Sequence, residues 1–249
     1  MKRKLSGVFL MLIVFSGCKQ LNKPLVIGHR GAMGHATENT LESIQTAMDL
    51  GVDMLEIDVF KTRDGEIVVF HDSSLKRLTG QPGNIEELDL KAVKALTLAR
   101  NTKIPTLKEV LDLMKGETML NIELKGAHTA ESVNEIINHY INKGNWELKD
   151  FLISSYKWDE LKRIRELNGK IPIAVLIQKD PLDAIPIGHE LKAMVIIPNY
   201  KKLTKKNVRI LHEEGFKIYP YTVNGYLQIK RMARMGVDGI ITNYPNRVK

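Results

Sequence analysis

The chain has 249 residues, 43% hydrophobic and 27% charged, which excludes a disordered polymer and suits one large domain or two small ones. Its formal net charge is +8. Three of the basic residues are Lys2, Arg3 and Lys4, and no dense Lys/Arg cluster with interleaved aromatics follows, which argues against a nucleic-acid partner.

Residues 1–17 have the layout of a secretory signal: a basic start, an apolar stretch from Leu5 to Phe15, then the small residues Ser16 and Gly17. The apolar stretch is too short to span a bilayer, which takes roughly 20 apolar residues. Cys18 follows at once, and its placement resembles a bacterial lipobox. That resemblance implies cleavage before Cys18, lipid attachment to it, and an exported chain anchored to a membrane. The alternative is an ordinary signal peptide with a chance cysteine. Residues 18–24 read as a tether and 25–249 as one folded domain. With a single cysteine, that domain has no internal disulfide.

After the tether, strand-like runs alternate with helix-like ones. The strand candidates are Leu25–Gly28, Met54–Val59, Met119–Leu124, Phe151–Ser155, Ile173–Ile177, Met194–Pro198, Phe216–Tyr221 and Gly239–Thr242. The amphipathic stretches between them carry helix punctuation. Asn39-Thr-Leu-Glu42 and Thr106-Leu-Lys-Glu109 look like capping boxes, and Gly51, Gly169, Gly215 and Gly236 fall where helices should stop. Eight strand–helix repeats with nearly continuous apolar strands predict an α/β fold, a (β/α)8 TIM barrel. The runner-up, an open doubly wound sheet, lacks a Gly-x-Gly-x-x-Gly loop to support it.

A ninth strand-like run, Ile67–His71, follows the second across Asp64-Gly65, a two-residue hairpin signal. A tight turn makes an antiparallel pair, so this run reads as the return arm of a hairpin on the barrel rim. A two-residue turn pairs Arg63 with Glu66 and sets His71 opposite Asp58. Residues 73–104, with Gly80-Gln-Pro-Gly83 and a helical patch near Glu86–Leu98, read as a small insertion beside the active face.

Barrels of this class build their sites at the C-terminal ends of the strands. The first strand ends in His29-Arg30. On the second, alternation puts Glu56 and Asp58 on one face, where two adjacent carboxylates repel unless a divalent cation relieves them. The third places Glu123 and Lys125 on one face. Charged side chains pointing into a barrel are costly unless paired or bound. A surface hairpin with its polar face in water, or a plain Glu123–Lys125 ion pair, is the structural alternative.

His29-Arg-Gly31, Glu38-Asn-Thr40, Glu56-Ile-Asp58, Asp64-Gly65, His71-Asp72, Ile104-Pro-Thr-Leu107, Glu123-Leu-Lys125 and Thr222-Val-Asn224 occur in this order. Together they resemble the glycerophosphodiester phosphodiesterase family, from Val26 to about Pro245. The resemblance implies hydrolysis of a small glycerophosphodiester with a divalent cation, Ca²⁺ or Mg²⁺, as cofactor. It maps the metal carboxylates onto Glu56, Asp58 and Glu123, the acid/base histidines onto His29 and His71, and phosphate contacts onto Arg30 and Lys125. Two departures bear on specificity. Thr37 stands where many members have Pro, and Tyr219 and Tyr221 lie where many have Trp, with Tyr221 the candidate substrate contact. The other histidines, His35, His128, His139, His189 and His212, read as surface residues. Two competing functions remain open: a carboxylate-pair glycosidase, and a non-catalytic phosphate- or lipid-binding lipoprotein.

Overall fold

The computed structural model describes residues 23–248. The signal, Cys18 and most of the tether lie outside the described residues. In chain order the strands are β1 (Leu25–His29), β2 (Met54–Lys61), β3 (Ile67–Val69), β4 (Met119–Leu124), β5 (Phe151–Ser155), β6 (Ile173–Ile177), β7 (Val195–Pro198), β8 (Lys217–Ile218) and β9 (Gly239–Thr242). The helices are α1 (Leu41–Asp49), α2 (Lys76–Thr79), α3 (Leu90–Ala95), α4 (Leu107–Met114), α5 (Ala130–Asn142), α6 (Trp158–Leu167), α7 (Ile185–Glu190), α8 (Lys205–Glu213) and α9 (Tyr226–Met235).

The parallel strands lie in the order β8-β7-β6-β5-β4-β2-β1-β9, and β3 pairs antiparallel with β2 off this path. The result is the nearly closed barrel that the strand–helix alternation predicts. β8 is shorter than the expected Phe216–Tyr221. Tyr219 and Tyr221 give their N–H groups to β7, so Pro220 should give one toward β9 and has none. The barrel closes there through Asp238 N–H to Ile218 O at 3.0 Å, Ile241 N–H to Pro220 O at 3.0 Å and Val223 N–H to Ile241 O at 2.9 Å.

Alternation along each strand sorts the residues. Leu55, Ile57, Leu120, Ile122 and Ile153 point outward into the layer shared with the helices. Ile27, Met54, Leu152, Ala174, Val195, Tyr219 and Ile241 fill the barrel interior. Two residues further along several of the same strands the inward side chains become polar: His29 above Ile27, Glu56 and Asp58 above Met54, Ser154 above Leu152. The apolar half closes the floor, and the polar half opens at the C-terminal end.

Two local placements differ from expectation by one residue. In the hairpin, Val59 pairs with Val69 and Lys61 with Ile67, so Phe70 rather than His71 stands opposite Asp58, and its N–H reaches Asp58 O at 3.0 Å. The loop is Arg63-Asp64-Gly65, three residues, with Gly65 at φ 94° as this turn requires. Side chains select it. Thr62 Oγ1 donates to Asp64 Oδ1 at 2.6 Å, and the Asp64 carboxylate accepts the Leu90 N–H of α3 at 3.0 Å. Arg63 N–H turns away to Leu88 O at 2.9 Å. At α1 the cap is Thr40, boxed with Ser43, not Asn39 with Glu42. The Thr106–Glu109 box at α4 forms as read.

Residues 73–104 pack on the hairpin through their own apolar cluster, in which Leu75, Ile85, Val93 and Leu98 meet Phe60, Val68 and Phe70. This fixes the segment beside the C-terminal mouth of the barrel.

Candidate active site

Glu56 and Asp58 on β2 and Glu123 on β4 converge because β2 and β4 are neighbours in register, with Asp58 level with Glu123. One oxygen from each lies within 4.8 Å of the others. All three are buried, and Glu56 Oε1 has no hydrogen-bond partner. Burial, then the charges of Asp58 and Glu123, hold the Glu56 carboxyl well above the usual range. Burial and Asp58 push Glu123 up to about 7. Crowded carboxylates with an orphaned buried oxygen fit a hard divalent cation, whose oxygen-ligand chemistry this donor set matches.

His29 and Arg30 stand where β1 ends. His29 Nδ1 is 2.6 Å from Asn243 Oδ1, and its Nε2 is 3.9 Å from Glu56 Oε2. Burial and the neighbouring Arg30 push the imidazole down to about 4, so it is neutral at physiological pH. Arg30 is left-handed at φ 51°, a non-glycine outlier of the kind that clusters at functional sites. That turn lets its N–H reach Glu56 Oε2 at 2.9 Å, while its Nε lies 3.3 Å from Asp58 Oδ2 and its Nη1 donates to Glu38 Oε1 at 2.6 Å. Gly31, at φ 79°, lets α1 come close: a Cβ there would stand 2.4 Å from Ser43 Oγ, which donates to Arg30 O at 2.8 Å.

His71 lies just past β3 and faces the same charges. Burial lowers its pKa, helped by Arg30 and Lys125 and opposed by Asp58. Its Nδ1 is 2.5 Å from Asp72 Oδ1. The register places it one residue away from the expected position, yet it stays at the site because it lies just past the last hairpin bond, Phe70 N–H to Asp58 O, and past the end of β3. Lys125 Nζ is 3.1 Å from Glu123 Oε1, an ion pair poorly aligned for a hydrogen bond. Glu123 and Asp58 outweigh burial and raise its pKa.

The tyrosines divide. Tyr219 is part of the barrel floor and does not reach the mouth. Tyr221 is half-buried at the rim, edge-on to Tyr156 with ring centroids 6.1 Å apart, and Lys125 Nζ sits 5.9 Å from the Tyr156 ring. The aromatic wall is therefore Tyr156 with Tyr221. His35, His128, His139, His189 and His212 are all exposed.

Four residues at the site escape a reading of strand pattern. Tyr156 and Asn243 follow the ends of β5 and β9, so the rule that used strand ends could have found them. Asn39, at φ 56°, donates from Nδ2 to Asp58 Oδ2 at 2.9 Å. Arg77, in α2, donates to Glu38 at 2.7 and 2.8 Å and to Asp72 at 2.5 Å. Despite burial, Arg77 and Arg30 hold Glu38 down to about 2.

Residues 29–247 match the model of the glycerophosphoryl diester phosphodiesterase family. The chain is 33% identical to the glycerophosphodiester phosphodiesterase of Bacillus altitudinis, over 89% of this chain and 95% of that protein. It is 32% identical to the enzyme of the same name from Caldanaerobacter subterraneus, over 90% and 95%. Among solved structures it is similar to an Oleispira antarctica phosphodiesterase in complex with the product sn-glycerol-3-phosphate, with a TM-score of 0.83, 27% identity, and 90% and 95% of the two chains covered.

Proposed function

We propose that this chain, which belongs to the glycerophosphoryl diester phosphodiesterase family, hydrolyses glycerophosphodiesters to glycerol 3-phosphate and an alcohol. The observation that carries this reading is one barrel mouth at which three crowded carboxylates meet two histidines and two cationic side chains.

Glu56, Asp58 and Glu123 would hold a divalent cation, Ca²⁺ or Mg²⁺, which supplies Lewis-acid stabilisation of the charge on the phosphoryl group. Arg30 and Lys125 reinforce it by binding the anionic phosphate oxygens. His29 and His71 carry the protons. One takes the proton of the substrate's own 2-hydroxyl as that oxygen bonds to phosphorus. The other gives a proton to the alcohol oxygen as its bond to phosphorus breaks. A cyclic phosphate results, and water opens it with the proton roles reversed. Asn243, as acceptor for His29 Nδ1–H, leaves Nε2 as the nitrogen free to take a proton. Tyr156 and Tyr221, beside Lys125, would give the substrate an aromatic wall.

A glycosidase reading asks two acids to flank a scissile bond at roughly 5–10 Å. Carboxylates that all lie within 4.8 Å of one another suit a shared cation better. Binding without turnover gives no use for two histidines at one mouth. The deciding experiment is a panel of phosphodiesters with and without added Ca²⁺ or Mg²⁺, read by phosphorus NMR. Glycerol 3-phosphate should appear only with metal. Full turnover after exhaustive chelation would remove the metal from this reading, and turnover of glycosides alone would replace it.

The basic, apolar and small-residue run before Cys18 supports a second proposal: export and lipid anchoring to a bacterial membrane through Cys18. Radiolabelled palmitate should enter the protein in a bacterial host, and Cys18→Ala should abolish the label.

A further inference from the structure

Arg77 stands outside the barrel, on the short α2 of the segment packed against the hairpin, and three of its nitrogens are engaged. Nη1 and Nη2 grip the two oxygens of Glu38 at 2.7 and 2.8 Å. Nε holds Asp72 Oδ2 at 2.5 Å. Each carboxylate has its other hand on a residue of the site. Glu38 Oε1 accepts from Arg30 Nη1 at 2.6 Å, and Asp72 Oδ1 lies 2.5 Å from His71 Nδ1. The line His71–Asp72–Arg77–Glu38–Arg30 is thus continuous. It joins the histidine that follows β3 to the arginine that follows β1, by a route separate from the β1–β2 pairing.

The charges make the link directional. Glu38 is buried, and an unpaired buried carboxylate is costly. One Arg30 nitrogen meets only one of its oxygens, so Arg77 completes the pairing. A guanidinium can do this in a plane, with parallel N–H groups toward one carboxylate and a third N–H toward another; an ammonium cannot.

We infer that Arg77 is a positioning residue for the reaction proposed above: through Asp72 it sets the His71 ring, and through Glu38 it sets the Arg30 guanidinium. Resting on that reading, the inference makes the 73–104 segment, through Arg77, part of the catalytic apparatus. One residue then controls two kinetic quantities. Loss of the Asp72 arm misplaces the proton-transfer histidine and lowers kcat. Loss of the Glu38 arm loosens the phosphate contact and raises KM.

The test uses the full chain with metal present and a glycerophosphodiester that the parent hydrolyses. Arg77→Ala should lower kcat by about 10²-fold, the cost of a displacement on the order of 1 Å at a reacting group, and should also raise KM. Asp72→Asn should reproduce mainly the kcat loss, and Glu38→Gln mainly the KM rise. The Arg77 side chain is 46% exposed, so free guanidinium ion can enter the gap and should restore part of the activity of Arg77→Ala. Arg77→Lys, which keeps a cation and is the safer variant for folding, should remain impaired. Parental kcat and KM in a folded Arg77→Ala or Arg77→Lys protein would overturn the inference, as would losses that guanidinium does not relieve. A parent with no diester hydrolysis would instead sink the reading on which it rests.

Discussion

Asn39 and Asp58 bind each other twice: Asn39 Nδ2 donates to Asp58 Oδ2 at 2.9 Å, and Asp58 N–H donates to Asn39 Oδ1 at 3.3 Å. The first bond fixes the direction of a carboxylate proposed above as a cation ligand, and outer partners of metal ligands are worth roughly 10–100-fold in metal affinity. Asn39 is left-handed, so Asn39→Ala mixes side-chain loss with backbone strain. Asn39→Gly removes the side chain without that strain. Calorimetric titration with Ca²⁺ or Mg²⁺ should show the Gly variant binding about 10-fold or more weaker. Unchanged affinity would mean that Asp58 needs no outer support.

The carboxylate cluster carries a pH signature in the metal-free protein. Glu123 rises from an ordinary 4.5 to about 7 in the fold. A raised pKa means that the folded state holds its proton more tightly, so the contribution is fully present below pH 4.5 and lost as pH rises through about 7. Glu123→Gln cannot ionise. Its melting temperature relative to the parent should climb across that window, and saturating divalent metal should stabilise only the parent. A flat difference between the two proteins would refute the burial argument.

His29 has the opposite sign. Its pKa falls from 6.5 to about 4, so its contribution is present above 6.5 and lost as pH drops through 4. NMR titration of the metal-free protein should find its ring neutral, with the proton on Nδ1, down to about pH 4. Asn243→Asp places a carboxylate against Nδ1 and should raise that titration. Asn243→Leu leaves Nδ1 without its acceptor and should reduce kcat by about 10²-fold, the scale of acid–base catalysis.

The three-residue hairpin loop depends on one backbone conformation. Gly65 at φ 94° has open space around it, since a Cβ would approach only Lys61 Cε at 3.9 Å. Gly65→Ala therefore tests conformation without a clash. It should cost about 1–2 kcal/mol in urea unfolding. A neutral substitution would mean that the loop accepts another turn at no cost.

Period-two alternation put Glu56 and Asp58 on one face and Glu123 on another strand's inward face, because side-chain direction in a strand is a local property. Strand ends likewise marked His29, Arg30 and Lys125. The same local rules missed by one residue at both turns. Thr40 capped α1 once Asn39 was drawn to Asp58, 19 residues away, and Asp64 left the two-residue turn to cap Leu90, 26 residues away. Asn243 reaches His29 across 214 residues, and Arg77 reaches Glu38 across 39. The barrel and the charged residues borne on its strands were legible in the chain, since both follow from periodicity and residue chemistry. Their register and partners were settled by long-range packing, because a side chain that can bond equally well to its own turn or to a distant strand is claimed by whichever partner folding brings within about 3 Å.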